Sequence, residues 1–60
     1  MSYHRIGDRV RVLQVSPDID DIKVGDEGTI MNLMSAHLFR IKLDSGPSLD
    51  LNAQQFEKVR

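Results

Sequence analysis

Gly7-Asp8-Arg9-Val10-Arg11-Val12, answered downstream by Val24-Gly25-Asp26-Glu27-Gly28-Thr29-Ile30, constrains this chain more than any other feature. Each segment puts a Gly-Asp turn signal in front of a run in which apolar and polar residues alternate, which is the period of a half-buried strand. Val10 and Val12 take one face, and Arg9 and Arg11 take the other. The two segments read as neighbouring strands of one small barrel.

Size sharpens that reading. Sixty residues make one domain spanning 1–60, close to the lower limit for folding without staples, because a chain this short buries only roughly 60% of its unfolded surface. The chain has no cysteine, which removes disulfides, thiolate zinc sites and a cysteine nucleophile together. Stability must come from an apolar core or from a partner. No apolar run approaches the roughly 20 residues of a membrane span, and Met1-Ser2-Tyr3-His4-Arg5 lacks the apolar centre of a signal peptide. A cytoplasmic protein is expected.

Further strands follow from the same alternation. Gly28 to Met34 reads as the second strand, with Ile30/Met34 and Met31/Leu33 apolar on opposite parities. One set is then exposed, or the strand bends sharply. Ser35-Ala36-His37 forms a turn, and Leu38 to Leu43 is the clearest strand, with Phe39, Ile41 and Leu43 inward and Arg40 and Lys42 outward. Asp44-Ser45-Gly46-Pro47 turns the chain into Ser48 to Asn52, where Leu49 and Leu51 face in. Asn52-Ala53-Gln54-Gln55 suits one helical turn capped by Asn52, and Phe56 to Val59 closes the chain as a last short strand. After Val12 the parity slips at Leu13 and Val15, which predicts a bend there. Between them lies a long loop from Ser16 to Glu27, from which Ile19, Ile22 and Val24 are expected to tuck back on the core.

The expected fold is all-β: five antiparallel strands closed into a small barrel, with one helical turn before the last strand. Closure removes the exposed edges that so few strands would otherwise present. Val10, Val12, Ile30, Phe39, Ile41 and Leu49 should make one core cluster, and Gly28 should lie where the barrel packs closely, so that a side chain is excluded or a positive φ is required.

These residues resemble an SH3-like barrel. The resemblance rests on Gly7-x-Arg9-Val10, Gly25-x-x-Gly28-Thr29-Ile30, Asp44-x-Gly46 and Phe56-x-x-Val59, and it covers nearly the whole chain. It is nearest to small SH3-like domains carried by phages, plasmids and other mobile elements, and more distant from KOW-type domains and photosystem I subunit IV. With one tyrosine, the chain departs from the photosystem subunits, and no photosynthetic role is carried over. The resemblance implies a mobile-element accessory protein that docks on a host or element-encoded protein. Its alternative is a KOW-like domain that binds nucleic acid. The fold by itself does not choose, since SH3-like barrels serve many tasks.

Residue chemistry narrows the classes. Asp18-Ile19-Asp20-Asp21 does not space its carboxylates as a calcium loop does, so no metal is expected, and no cofactor motif occurs. His4 and His37 have no nucleophile or acid in a recognisable constellation, so no enzyme is expected, and both read as surface residues. Proline-rich peptides need an aromatic groove, for which Tyr3 alone would be spare. Arg9, Arg11, Arg40 and Lys42 share an outward parity and form the candidate nucleic-acid face. Against it stand a net charge of -1 and the absence of surface aromatics for stacking.

The charge is unevenly distributed. Residues 16–27 hold Asp18, Asp20, Asp21, Asp26 and Glu27 against Lys23, while the rest of the chain is net positive. Met31, Leu33, Met34 and Leu38 are apolar beyond what one strand face requires. Asp20 and Asp21, with Met31, Leu33, Met34, His37 and Leu38, are therefore the expected protein-binding residues: the carboxylates steer, and the hairpin docks.

Overall fold

The computed structural model describes residues 4–15 and 22–59. Five strands form one antiparallel sheet: β1 (Arg9–Val12), β2 (Glu27–Leu33), β3 (Leu38–Leu43), β4 (Ser48–Asn52) and β5 (Phe56–Lys58). Their order in the sheet is β4-β3-β2-β1-β5. The sheet is open, not closed as expected, with β4 and β5 as its edges.

It is nevertheless strongly curled. β3 and β5 lie three places apart, which in a flat sheet at ~4.8 Å per strand would separate them by about 14 Å. The Phe39 and Phe56 rings, one from each strand, have centroids 5.5 Å apart at an interplanar angle of 84°. That edge-to-face contact requires the two wings of the sheet to fold towards each other. The concave side holds the whole core: Val10, Val12, Ile22, Ile30, Phe39, Ile41, Leu43, Leu49, Leu51 and Phe56. All six residues expected in the central cluster belong to it.

Gly28 allows the curl. A Cβ there would lie 2.5 Å from the Lys42 carbonyl oxygen and 2.9 Å from the Leu43 Cα. Both are backbone atoms and cannot swing aside, so only hydrogen fits where β2 crosses β3.

One turn design occurs twice. In Arg5-Ile6-Gly7-Asp8, the Asp8 amide donates to the Arg5 carbonyl at 3.0 Å, and the Arg5 amide donates to Asp8 Oδ2 at 2.9 Å. Lys23-Val24-Gly25-Asp26 repeats both bonds at 3.0 Å. Gly7 and Gly25 take positive φ at the third position, and the aspartate side chain returns to the first amide. Each turn delivers the chain into a strand. Each also leaves its second residue on the surface, Ile6 at 62% and Val24 at 63% exposure. Ile22 does join the core, Val24 does not, and Ile19 lies outside the described residues.

Two local expectations are corrected. Asn52–Gln55 is a hydrogen-bonded turn rather than a helical one: Gln55 N–H donates to the Asn52 carbonyl, Asn52 N–H to Gln55 Oε1, and Gln54 N–H to Asn52 Oδ1, all at 3.0 Å. Asn52 keeps its capping role. At Leu13 no bend carries the strand onward, because β1 stops at Val12 and the Leu13 and Gln14 amides both donate to the Gln55 carbonyl at 2.7 and 3.2 Å. Leu13 is left 40% exposed, and Val15 returns to pack on the core.

The irregularity lies in β2 instead. Ile30 pairs with Ile41, but Asn32 pairs with Arg40 and Leu33 with Phe39, so Met31 is the extra residue of a β-bulge. This resolves the double parity of the strand. Before the bulge Ile30 is inward, and after it Leu33, not Asn32, shares the face of Phe39.

Candidate functional site

Two surfaces carry the residues singled out from the sequence. The first is the convex face. Register places carboxylates directly against the arginines: Arg11 sits opposite Glu27 on one side and Glu57 on the other, and Arg40 sits opposite Asp50. Arg9 forms a bidentate pair with Asp44, Nη1 to Oδ1 at 2.7 Å and Nη2 to Oδ2 at 2.5 Å, and also donates to Thr29 Oγ1 at 3.0 Å. Arg11 meets Glu27 at 3.4 Å and Glu57 at 3.3 Å. Arg40 holds Asp50 through Nε at 2.9 Å and Nη2 at 3.3 Å. Only Lys42 of the four proposed cations lacks a carboxylate among the described residues; its Nζ donates to the Gly46 carbonyl at 3.4 Å.

The electrostatic effect follows. Hydrogen bonds from Arg9 hold the Asp44 carboxyl below the usual carboxylate range, and those from Arg40 do the same for Asp50. Both guanidinium groups are correspondingly held more firmly protonated. Asp8 is also lowered, first by the Arg5 backbone amide and then by Lys58 at 3.4 Å. The parity argument located the stripe of cations correctly. It could not see that each arginine already has a carboxylate to hold.

The second surface is the end of the β2–β3 hairpin. Met31 is 47% exposed, Leu33 51% and Met34 43%. His37 is exposed and Leu38 half-buried. The reason is geometric: Leu33 lies on the core face, opposite Phe39, but beyond the part of the concave side that other strands cover. Past it the hairpin tightens, with the Met34 and Ser35 amides both donating to the Leu38 carbonyl at 2.8 and 3.1 Å. Asp20 and Asp21 lie outside the described residues.

One sequence signal for this surface is plain once its position is known. Residues 28–39 contain no Asp, Glu, Lys or Arg in a chain of which 28% is charged. An uncharged stretch of that length, exposed throughout residues 31–37, stands out from its surroundings.

His4 corrects the expectation of two surface histidines. It is half-buried, with its ring 5.2 Å from Phe39 and 4.8 Å from Phe56, so the three rings form one cluster at the mouth of the concave side. Its Nδ1 is shut off from solvent and has no hydrogen-bond partner among the described residues. The ring fills the gap between the two wings, and its edge-to-face contacts offset part of that loss.

Beside the hairpin, His37, Asn52, Ala53 and Gln54 line a shallow open depression. Among the described residues no three His, Asp or Glu side chains gather as a metal site would require, and no helix is long and apolar enough to cross a membrane. No protein-family model, curated protein or solved structure matches this chain.

Proposed function

We propose that this chain is a small protein-binding module of SH3-like architecture, acting by docking rather than by catalysis. The strand order, with β2 shared between a β5-β1 wing and a β3-β4 wing, and the curl that brings Phe39 to Phe56 support the SH3-like part. The observation that carries the docking part is the half exposure of Met31, Leu33 and Met34 at an uncharged hairpin end. Apolar side chains grouped on a surface without charge are what the centre of a protein interface is made of. The resemblance to mobile-element domains gives the concrete setting: a cytoplasmic accessory protein that attaches to a host or element-encoded protein.

The experiment compares wild type with a Leu33→Ser/Met34→Ser variant as immobilised bait in lysate of the producing cells. A protein retained by the first and lost by the second supports docking through the hairpin. Equal retention by both places the contact elsewhere and ends this reading.

The KOW-like alternative relies on Arg9, Arg11, Arg40 and Lys42. Phosphates would have to displace the carboxylates of Asp44, Glu27, Glu57 and Asp50 from three of these four cations. Binding to generic DNA or RNA is therefore expected to be weak at 150 mM salt. A measured log-log salt slope of about -3 or steeper, as three or more released counterions would give, would revive it.

A further inference from the structure

We infer that the notch filled by His4 is a binding site for an aromatic side chain of the docking partner, a phenyl-type ring without a polar edge, and that His4 is its stand-in while no partner is bound. This rests on the docking reading and gives the partner an anchor.

The two wings supply the walls. Phe39 of β3 and Phe56 of β5 meet at 84° with centroids 5.5 Å apart, and the His4 ring completes a triangle of edge-to-face contacts at 5.2 and 4.8 Å. With that third ring in place Phe39 and Phe56 are both buried. Taking it away uncovers aromatic surface on each wing at once, and a ring seated among apolar walls is the usual anchor of a protein interface. Register extends the notch along one face of the sheet: Leu33, opposite Phe39 across β2 and β3, is 51% exposed on the same concave side. A partner ring in the notch therefore has an apolar neighbour beside it without reaching round the sheet.

His4 fits the notch by shape and not by chemistry. Its Nδ1 is buried with no partner among the described residues, and an unmet buried nitrogen works against keeping the ring there. Backbone bonding does not hold it either. Among the described residues hydrogen bonding begins at Arg5, whose carbonyl and amide both close onto Asp8, so His4 is fastened by its ring alone. A phenyl ring makes the same contacts and strands no nitrogen. The same criterion rejects a nucleobase, whose ring nitrogens and exocyclic groups would leave more polar atoms unpaired than one imidazole does.

The test titrates His4→Ala and the wild type with benzene and, separately, with adenine, following NMR shifts. Benzene should bind the variant with a dissociation constant on the order of 1 mM. It should move the signals of Phe39, Phe56 and Leu33 and raise the melting temperature as it binds. The wild type should bind at least about tenfold more weakly, because His4 has to leave first. Its His4 ring signals should move as benzene enters, a measure that stands even if the variant fails to fold. Adenine at the same concentration should do neither. Benzene that leaves the ring cluster unmoved in both proteins overturns the inference. So do equal affinity of wild type and folded variant, shifts centred elsewhere, or adenine binding as tightly as benzene. In lysate, His4→Phe closes the notch with its own ring and should retain less of the partner than the wild type. Equal retention by these two, with loss in Leu33→Ser/Met34→Ser, removes the anchor and leaves the docking reading standing.

Discussion

The convex face and the hairpin end are made from neighbouring stretches of the same strands, yet they are finished in opposite ways. On the convex face every arginine has a carboxylate, and the ladder Asp44-Arg9-Glu27-Arg11-Glu57 runs across β1, β2, β5 and the turn after β3. At the hairpin end no charge occurs, and three large apolar residues are half in water. Such pairs on a surface contribute little each. What the ladder does accomplish is to leave that face with few unmet electrostatic needs. The hairpin end has unmet apolar needs instead. Pairing satisfies one surface within the chain, whereas the docking proposed above would satisfy the other from outside it.

The sharpest way to break the contrast is to remove the fold beneath it. Gly28→Val forces a side chain against the Lys42 and Leu43 backbone, and the cost should be about 3 kcal/mol or more. Phe39→Ala empties the ring cluster and should cost about 3 to 5 kcal/mol. Sixty residues imply a total stability of only about 3 to 9 kcal/mol, so urea titration should find both variants largely unfolded. A Gly28→Val protein that melts with the wild type would mean that β2 and β3 do not approach as described.

His4→Phe keeps the ring between Phe39 and Phe56 but removes the buried, unpartnered Nδ1. A gain of about 1 kcal/mol in thermal unfolding is expected, the lower end of the cost of an unsatisfied buried polar atom. Loss of stability instead would show that the nitrogen is being satisfied by something the ring cluster conceals.

Acid should then separate the two surfaces. Asp8, Asp44 and Asp50 are held below their ordinary value of 3.8 in the folded chain. A depressed carboxyl contributes stability that is fully present above its unfolded pKa and is lost as pH falls through the folded one. The melting temperature should therefore fall below about pH 4 in the wild type. The fall should flatten in Asp44→Asn/Asp50→Asn and stay unaltered in Leu33→Ser. An unchanged acid profile in the double variant would mean that the ladder carries no pH-dependent stability.

The smallest effect belongs to the hairpin end. Met31→Ser and Met34→Ser, measured at low micromolar concentration, should shift stability by no more than about 0.5 kcal/mol, as surface substitutions do. A cost comparable to that of Phe39→Ala would place these residues in the core and erase the distinction between the two surfaces.

Some of this organisation was legible residue by residue. β3 and β4 have the bounds read from alternation, because an unbroken period of two between turn-forming residues admits one register. Arg9, Arg11, Arg40 and Lys42 face outward as their parity required. The second strand resisted the same reading. Its two apolar parities mark a bulge, and a bulge is defined by two residues facing one on the partner strand, which no local pattern contains. Leu13 misled for the converse reason: its parity slip marks the end of a strand, and only the Gln55 carbonyl that receives its amide shows this. His4 carried no local sign of burial, since the gap it fills is made by strands more than thirty residues away.

Local chemistry in the sequence was enough to determine an all-β chain, the inward Val10, Val12, Ile30, Phe39, Ile41, Leu43, Leu49 and Leu51, and the need for glycine at position 28. Those properties depend on period and on side-chain type, which travel with the residues themselves. Tertiary structure decided that the sheet curls without closing, that register sets each arginine of the convex face beside a carboxylate, and that Leu33 lies on the core face yet out in solvent. Each of these depends on what the fold brings beside a residue, and for Arg9 and Asp44 that neighbour is thirty-five positions away in the chain.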